Sequence, residues 1–420
     1  MNKVLVKREL LAGLTTFSTM AYILIVNPLI LADAGISFAS AMLATIAIAV
    51  IGSFLMGGLA NYPFGLAPGV GMAAYFTYSV VIGGGVSWQT ALGIVFVTGI
   101  LLLLLWITGL RELLIRGIPQ ALKVATTAGI GLFLVIVGLK NAKIIISHPQ
   151  TLLTLGNLKT PEVLLTALAL VLVTGLLARR VSGALLYGII FAWVGGLLLG
   201  VVQWKGLFAL PQFTSDTFMK LDIMGAVEPK NWMILFSFLF ICLFDVSGSI
   251  MGLAHQGKFL DSKGNLPRLR RALFPDAVAT VCGGLLGTSA CAVYVESASG
   301  VSAGGRTGLT AITVGFLFLF TIFFEPLASS IPIFAVTPVL IIIGALMLQS
   351  AVDLDWKDPS EFIPAFMTIV GIPLTYSIGT GIGLGIALYP LCKLLAGKWS
   401  DVHWLGWVLG FLFLLKFAIY

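Results

Sequence analysis

Long apolar runs alternate with short polar breaks along the whole chain. Thr90–Ile107 and Val163–Leu177 carry no charge and approach the ~20 residues with which a helix crosses a bilayer core. The pattern predicts spans at about 10–32, 38–60, 64–82, 88–108, 118–139, 161–178 and 183–203, followed by a polar stretch over 204–229. A second set falls at about 231–254, 272–288, 292–303, 307–328, 332–350, 361–377 and 379–396. The last apolar stretch, about 402–419, fits either a further span or a helix lying along the surface. The fold class expected is an all-α polytopic membrane protein.

The two sets read as copies. Ile118-Pro119 precedes Gly129-Ile130-Gly131, and Ile331-Pro332 precedes Ile343-Gly344-Ala345. Pro161 and Pro359 each open a span, and Gly183 and Gly381 follow at the same offset of 198 residues. Gly57-Gly58-Leu59 and Gly283-Gly284-Leu285 each precede a glycine-rich, polar-interrupted segment. Seven spans per copy is an odd number, so the second copy is expected to be inverted in the membrane, an arrangement common among secondary transporters. The expected organisation is a first repeat over 1–203, a linker over 204–229, a second repeat over 230–398 and a terminal apolar segment over 399–420.

Composition agrees. Of 420 residues 59% are hydrophobic and 10% charged, against about 25% charged in soluble domains. The net charge of +7 does not point to nucleic acid, because the basic residues sit in short loops. Arg111, Lys123, Arg179-Arg180, Lys258, Lys263, Arg268, Arg270, Arg271 and Arg306 fall on one side, which places the N-terminus in the cytoplasm of a plasma-membrane protein. Lys140, Lys143 and Lys159 run against that bias. Lys3, Lys7 and Arg8 before an apolar run suggest a signal peptide, but the run to Ala32 is long and is broken by Asn27-Pro28, so a retained first helix is expected. Cys242, Cys282, Cys291 and Cys392 lie in apolar segments without a paired spacing and read as small apolar fillers. His148, His255 and His403 are scattered. With no metal cluster and no nucleophile–base pair in the apolar segments, neither a metal nor an organic cofactor is expected.

Two segments are poor membrane helices: Phe64–Phe76, with Pro68 and three glycines, and Gly287–Gly300, with Glu296 near its end. Both stand third in their copy. Backbone freed by Gly and Pro is tolerated at membrane depth only inside protein or along a cavity, so both are expected to be short extended segments lining a site. Asp245, in Phe244-Asp245-Val246-Ser247-Gly248, is costly at the centre of a span, at roughly 2.5–3.5 kcal/mol. It is therefore a functional candidate together with Glu296. Two carboxylates beside one cavity repel, and one of them is expected to carry a proton with the substrate. Asp276, after Pro275, is either a helix-start carboxylate or an outer member of the site.

These residues resemble a family. Phe64–Phe76 is similar to the "FGLAPGMGLNAYF" stretch of the azaguanine-type purine permeases, a branch of the nucleobase–ascorbate transporter superfamily. Phe244–Ser249 resembles that branch's "FDTVGTL", and Asp276–Thr280, Tyr294–Gly300 and Gly304–Thr310 follow its later pattern. The resemblance implies about fourteen spans in two inverted repeats. It implies a core domain, about 10–108 and 231–328, packed on a gate domain, about 109–203 and 329–398. It also implies proton-coupled uptake of hypoxanthine, guanine or adenine, with the proton as the coupling ion, and often a homodimer in the bilayer. The family's two site carboxylates fall on Asp245 and Glu296, with Asp276 as a further candidate for proton coupling. Tyr294 and Val295 would offer a ring contact and backbone groups, Phe76 or Tyr294 would stack on the base, and Ala73 and Ala74 are further substrate-binding candidates. Ala73 replaces the family's asparagine, and Ser289–Ser297 lacks the threonines of "STTTSYIES", so a uracil, xanthine or small-anion transporter of the same fold is the alternative.

Overall fold

A computed structural model describes residues 3–117, 119–211, 216–262 and 264–419; Ile118 and Lys263 lie outside them. Nine helices among the described residues are long and apolar enough to cross a bilayer, and four shorter apolar helices, Val70–Gly83, Ala184–Leu198, Pro359–Leu374 and Trp404–Ala418, accompany them. The first long span, Val4–Asp33, consists of two helices, Lys3–Met20 and Ile23–Asp33. Asp245 lies in Trp232–Gln256 and Asp276 in the first turn of Phe274–Leu286. The terminal helix Trp404–Ile419 packs along Ile378–Leu395, where a methyl on Gly410 would sit 2.7 Å from the Pro390 ring. The loop after Asn141 holds a hairpin that the hydropathy pattern does not show, with β2 (Ile145–His148) paired to β3 (Leu152–Leu155).

The two interrupted segments meet each other. Strand β1 (Leu66–Pro68) pairs antiparallel with β4 (Cys291–Val293) in the register Leu66–Val293, Ala67–Ala292 and Pro68–Cys291. Gly69 N–H to Ala290 O and Tyr294 N–H to Gly65 O, both 3.0 Å, extend the ladder at its ends. Pro68 lacks an N–H, and a two-stranded ribbon has outer edges on which such a residue is tolerated. All six strand residues are buried. Each interrupted span thus supplies the backbone partners that hydrocarbon would withhold from the other.

Glycine permits a close helix crossing. Gln120–Asn141 and Ile333–Leu348 meet at Gly131 and Gly344, where a methyl on either residue would stand 2.4 Å from the carbonyl oxygen of the other. Small residues let helix backbones approach in this way where no hydrophobic force drives them together.

Arg111 leaves the loop role that its sequence context suggests. It is buried, and its guanidinium grips Asp276 with two bonds, Nη1 to Oδ1 at 3.1 Å and Nη2 to Oδ2 at 2.8 Å, while Nη1 also donates to Leu273 O. Glu361, in the first helical turn of Pro359–Leu374, pairs with the buried Lys393 at 2.6 Å. Removing one partner of a buried pair strands the other charge. Asp276→Ala should therefore destabilise the protein by about 3–5 kcal/mol, and the double change Arg111→Met with Asp276→Leu should recover most of that loss in detergent thermal unfolding.

Candidate functional site

A cavity of about 450 Å³ opens between two groups of helices. One wall carries Gly69–Met72, just past β1, and Ala292–Glu296, from β4 onward, with Tyr22 and the Asp245 helix. The other wall carries Lys123, Thr127 and Ile130 from the first half of Gln120–Asn141, with Ile343 and Met347 from Ile333–Leu348.

On the Asp245 helix, Ile241, Phe244, Asp245 and Gly248 all line the cavity. They follow the three-and-four spacing of one helical face. A methyl on Gly248 would meet nothing within 4 Å, so the glycine keeps space open beside the carboxylate. Among the described residues nothing hydrogen-bonds or pairs with the Asp245 carboxylate, and neither of its oxygens is sealed off from the cavity.

Glu296 faces the same cavity from the turn between β4 and the helix Ser297–Ser302. The Tyr22 hydroxyl donates to its Oε1 at 2.5 Å, and Oε2 has no partner among the described residues. Arg306, a conceivable partner for Glu296, instead donates to Val301 O and Gly305 O at 3.0 Å each. Tyr294 and Val295 also line the cavity. The Tyr294 hydroxyl is committed to Pro68 O at 2.5 Å, so this side chain presents its ring while its phenol ties the broken spans together.

Four expected positions stand elsewhere. Ala73, Ala74 and Phe76 are buried behind Gly69–Met72 and do not border the cavity. The backbone turns into a helix at Val70, which carries Ala73 and its neighbours behind the wall. Asp276 does not border it either, since both its oxygens are engaged by Arg111. Several polar lining residues, among them Tyr22, Lys123 and Asp353, are not singled out for the site by sequence reasoning. Tyr22 follows the hydroxyl-rich stretch Thr15–Thr19, a usable signal inside an apolar span. Lys123 lies one turn inside its helix, although its sequence context suggests a loop cation.

A chain of side-chain bonds spans the other end of Gln120–Asn141. At the last residue of Gln120–Asn141, Asn141 Nδ2 donates to the Tyr78 hydroxyl at 2.8 Å, and Tyr78 donates to Asp33 Oδ2 at 2.7 Å. Lys140 lies over the Tyr376 ring nearby.

The chain resembles known proteins over nearly its whole length. A sequence family described as "Permease family" matches residues 7–384. The guanine/hypoxanthine permease PbuO of Bacillus subtilis is 41% identical over 422 residues, covering 99% of this chain and 98% of the relative. The adenine permease AdeQ of Escherichia coli is 40% identical over 414 residues, covering 99% and 93%. The transmembrane domain of a cyanobacterial bicarbonate transporter, BicA, superposes with a TM-score of 0.70 at 15% identity, covering 92% of this chain and 98% of that domain, and shares its fold. The chain is therefore a multi-pass membrane transporter rather than an enzyme, and it belongs to this permease family, in the purine-permease branch of the nucleobase–ascorbate transporter superfamily.

Proposed function

We propose that the protein takes up purine nucleobases (hypoxanthine, guanine or adenine) together with protons across the plasma membrane, by alternating access. The carrying observation is the open Asp245 carboxylate facing the same cavity as the half-engaged Glu296. Purines present N–H donors along their edges, and carboxylates are acceptors when ionised. The Tyr294 ring and the backbone at Val295 complete the contact surface. An uncompensated carboxylate at membrane depth is costly to carry as an anion, which makes Asp245 and Glu296 the natural carriers of the coupling proton. Asp276, locked by Arg111, supports the wall from behind. A cavity lined by the carboxylates of Asp245, Glu296 and Asp353 against the single cation Lys123 among its described lining residues is a poor host for bicarbonate-like anions, whatever the shared fold.

The two walls correspond to the core and gate domains expected from the sequence, and the N-terminus is taken as cytoplasmic. The mutual Gly131–Gly344 contact joins corresponding positions of the two proposed repeats, as a twofold axis in the membrane plane would require. The cavity reaches the first half of Gln120–Asn141, whereas the Asp33–Tyr78–Asn141 chain bridges core and gate at that helix's far end. Alternating access requires this bridge to open as the cavity side closes.

Asp245→Asn should lower proton-driven uptake of labelled hypoxanthine or adenine at least roughly tenfold, the scale of a lost bond to a charged group, at unchanged membrane levels. Uptake at the wild-type rate by that variant would overturn the assignment, and competition by unlabelled bases at two pH values would rank the substrates. Tyr78→Phe removes both bonds of the bridge at ~1 kcal/mol each. A cysteine placed at Val70 in a background lacking the four native cysteines should then react several-fold faster with an impermeant thiol reagent added from outside. An unchanged rate would show that the bridge does not hold that side shut.

A further inference from the structure

We infer that Tyr22 is the positioning residue of Glu296: it holds one carboxylate oxygen, so that the other oxygen alone meets the base. This rests on the reading of Glu296 as a substrate ligand. The phenol donates to Oε1 at 2.5 Å, within the short range of charge-assisted bonds, and Oε2 is left toward the cavity. Tyr22 is only 2% exposed, and its ring lies 6.3 Å from that of Tyr294, centroid to centroid. Its own freedom is therefore small.

The same turn of the first span grips the main chain of Glu296. Thr19 Oγ1 reaches Glu296 O at 3.3 Å and Ser299 Oγ at 3.0 Å, and Ser299 Oγ donates to Glu296 O at 2.7 Å. The first span is interrupted here, between Lys3–Met20 and Ile23–Asp33. Leu24 N–H bonds to Ala21 O at 3.2 Å and Ile25 N–H to Tyr22 O at 3.1 Å, tighter turns than the helices on either side. Pro28, four residues past Leu24, cannot donate to the Leu24 carbonyl. Tyr22 sits in the break between Lys3–Met20 and Ile23–Asp33 and lines the cavity.

The bond is strongest to the ionised carboxylate but is not lost on protonation. A phenol also donates, about half as strongly, to the carbonyl oxygen of the protonated acid. Glu296 therefore keeps one orientation whether or not Oε2 carries a proton, while Asp245, with no such tether, is free to reorient. The two carboxylates thus divide the work: Glu296 is the fixed acceptor that registers the base, and Asp245 is the adjustable one.

The test is a double-mutant cycle on the purified full-length protein, with hypoxanthine as the probe. Tyr22→Phe should raise Kd roughly tenfold, with KM rising alike, Vmax nearly unchanged and thermal stability kept. In the Glu296→Gln background, where the acceptor is a neutral amide, the same change should cost less than about twofold. An equal factor in both backgrounds would reduce Tyr22 to a packing role and overturn the proposal, as would unchanged binding by Tyr22→Phe. Infrared difference spectra supply an independent reading, because loss of the phenol should shift the Glu296 carboxyl band, and an unshifted band also overturns it. If Glu296→Gln alone binds like the wild type while the band does shift, the tether exists but Glu296 is not a ligand, and the substrate-site reading is what falls.

Discussion

An amide or carbonyl left without a partner in hydrocarbon costs several kcal/mol. The rest of this structure depends on how the two interrupted spans meet that constraint. Neither Leu66–Pro68 nor Cys291–Val293 can satisfy itself as helix, and each satisfies the other as a strand. The antiparallel register then fixes where the chain goes after each strand. Gly69–Met72 leaves one end of the ribbon and Tyr294–Glu296 leaves the other, and both segments border the same cavity. The Tyr294 phenol on Pro68 O closes the arrangement. Small side chains permit it: a methyl on Gly69 would come within 3.2 Å of the Ala292 methyl, and one on Gly65 within 2.6 Å of Met20 Sδ. The backbone break and the substrate wall are thus one feature.

The buried carboxylates divide by how far the fold satisfies them. Asp276 is held at both oxygens by Arg111. Glu9, also buried, accepts from the backbone of Arg306 and Thr307 and from the Thr310 hydroxyl, and so anchors the loop that enters Gly308–Phe320. These two are structural, because a carboxylate with both oxygens engaged has little to offer a ligand. Glu296 has one oxygen engaged, and Asp245 has none among the described residues. The degree of satisfaction, rather than burial alone, separates the carboxylates that hold the protein together from those available to a substrate.

Much of the architecture is legible because a bilayer imposes length and apolarity on a helix. The runs containing Thr90–Ile107 and Val163–Leu177 form Trp88–Thr108 and Pro161–Ala178 with little shift at the ends. The breaks at Pro68 and at Ser289–Glu296 are legible for the converse reason, since glycine, proline and a carboxylate fit no lipid-facing helix. Arg111 and Lys123 are not, because a cation near the end of an apolar run looks the same whether it snorkels to water, seals a buried acid or borders a cavity. The fate of each depends on Asp276 and on the facing wall, which are distant in sequence. Nearness to the break suggests the cavity for Ala73, Ala74 and Phe76, whereas helical twist from Val70 onward carries them behind it.

The sequence by itself determined that this is a polytopic membrane protein, that its third and tenth apolar segments are interrupted, and that Asp245 and Glu296 are charges needing a reason to exist there. Those conclusions come from local composition set against the fixed thickness and low polarity of the bilayer. Only the tertiary structure decided that the two interruptions pair with each other, that Asp276 belongs to Arg111, and that Tyr22 reaches across 274 positions to one oxygen of Glu296. Hydrogen-bond satisfaction is a property of where chains cross, and a single sequence does not state its crossings.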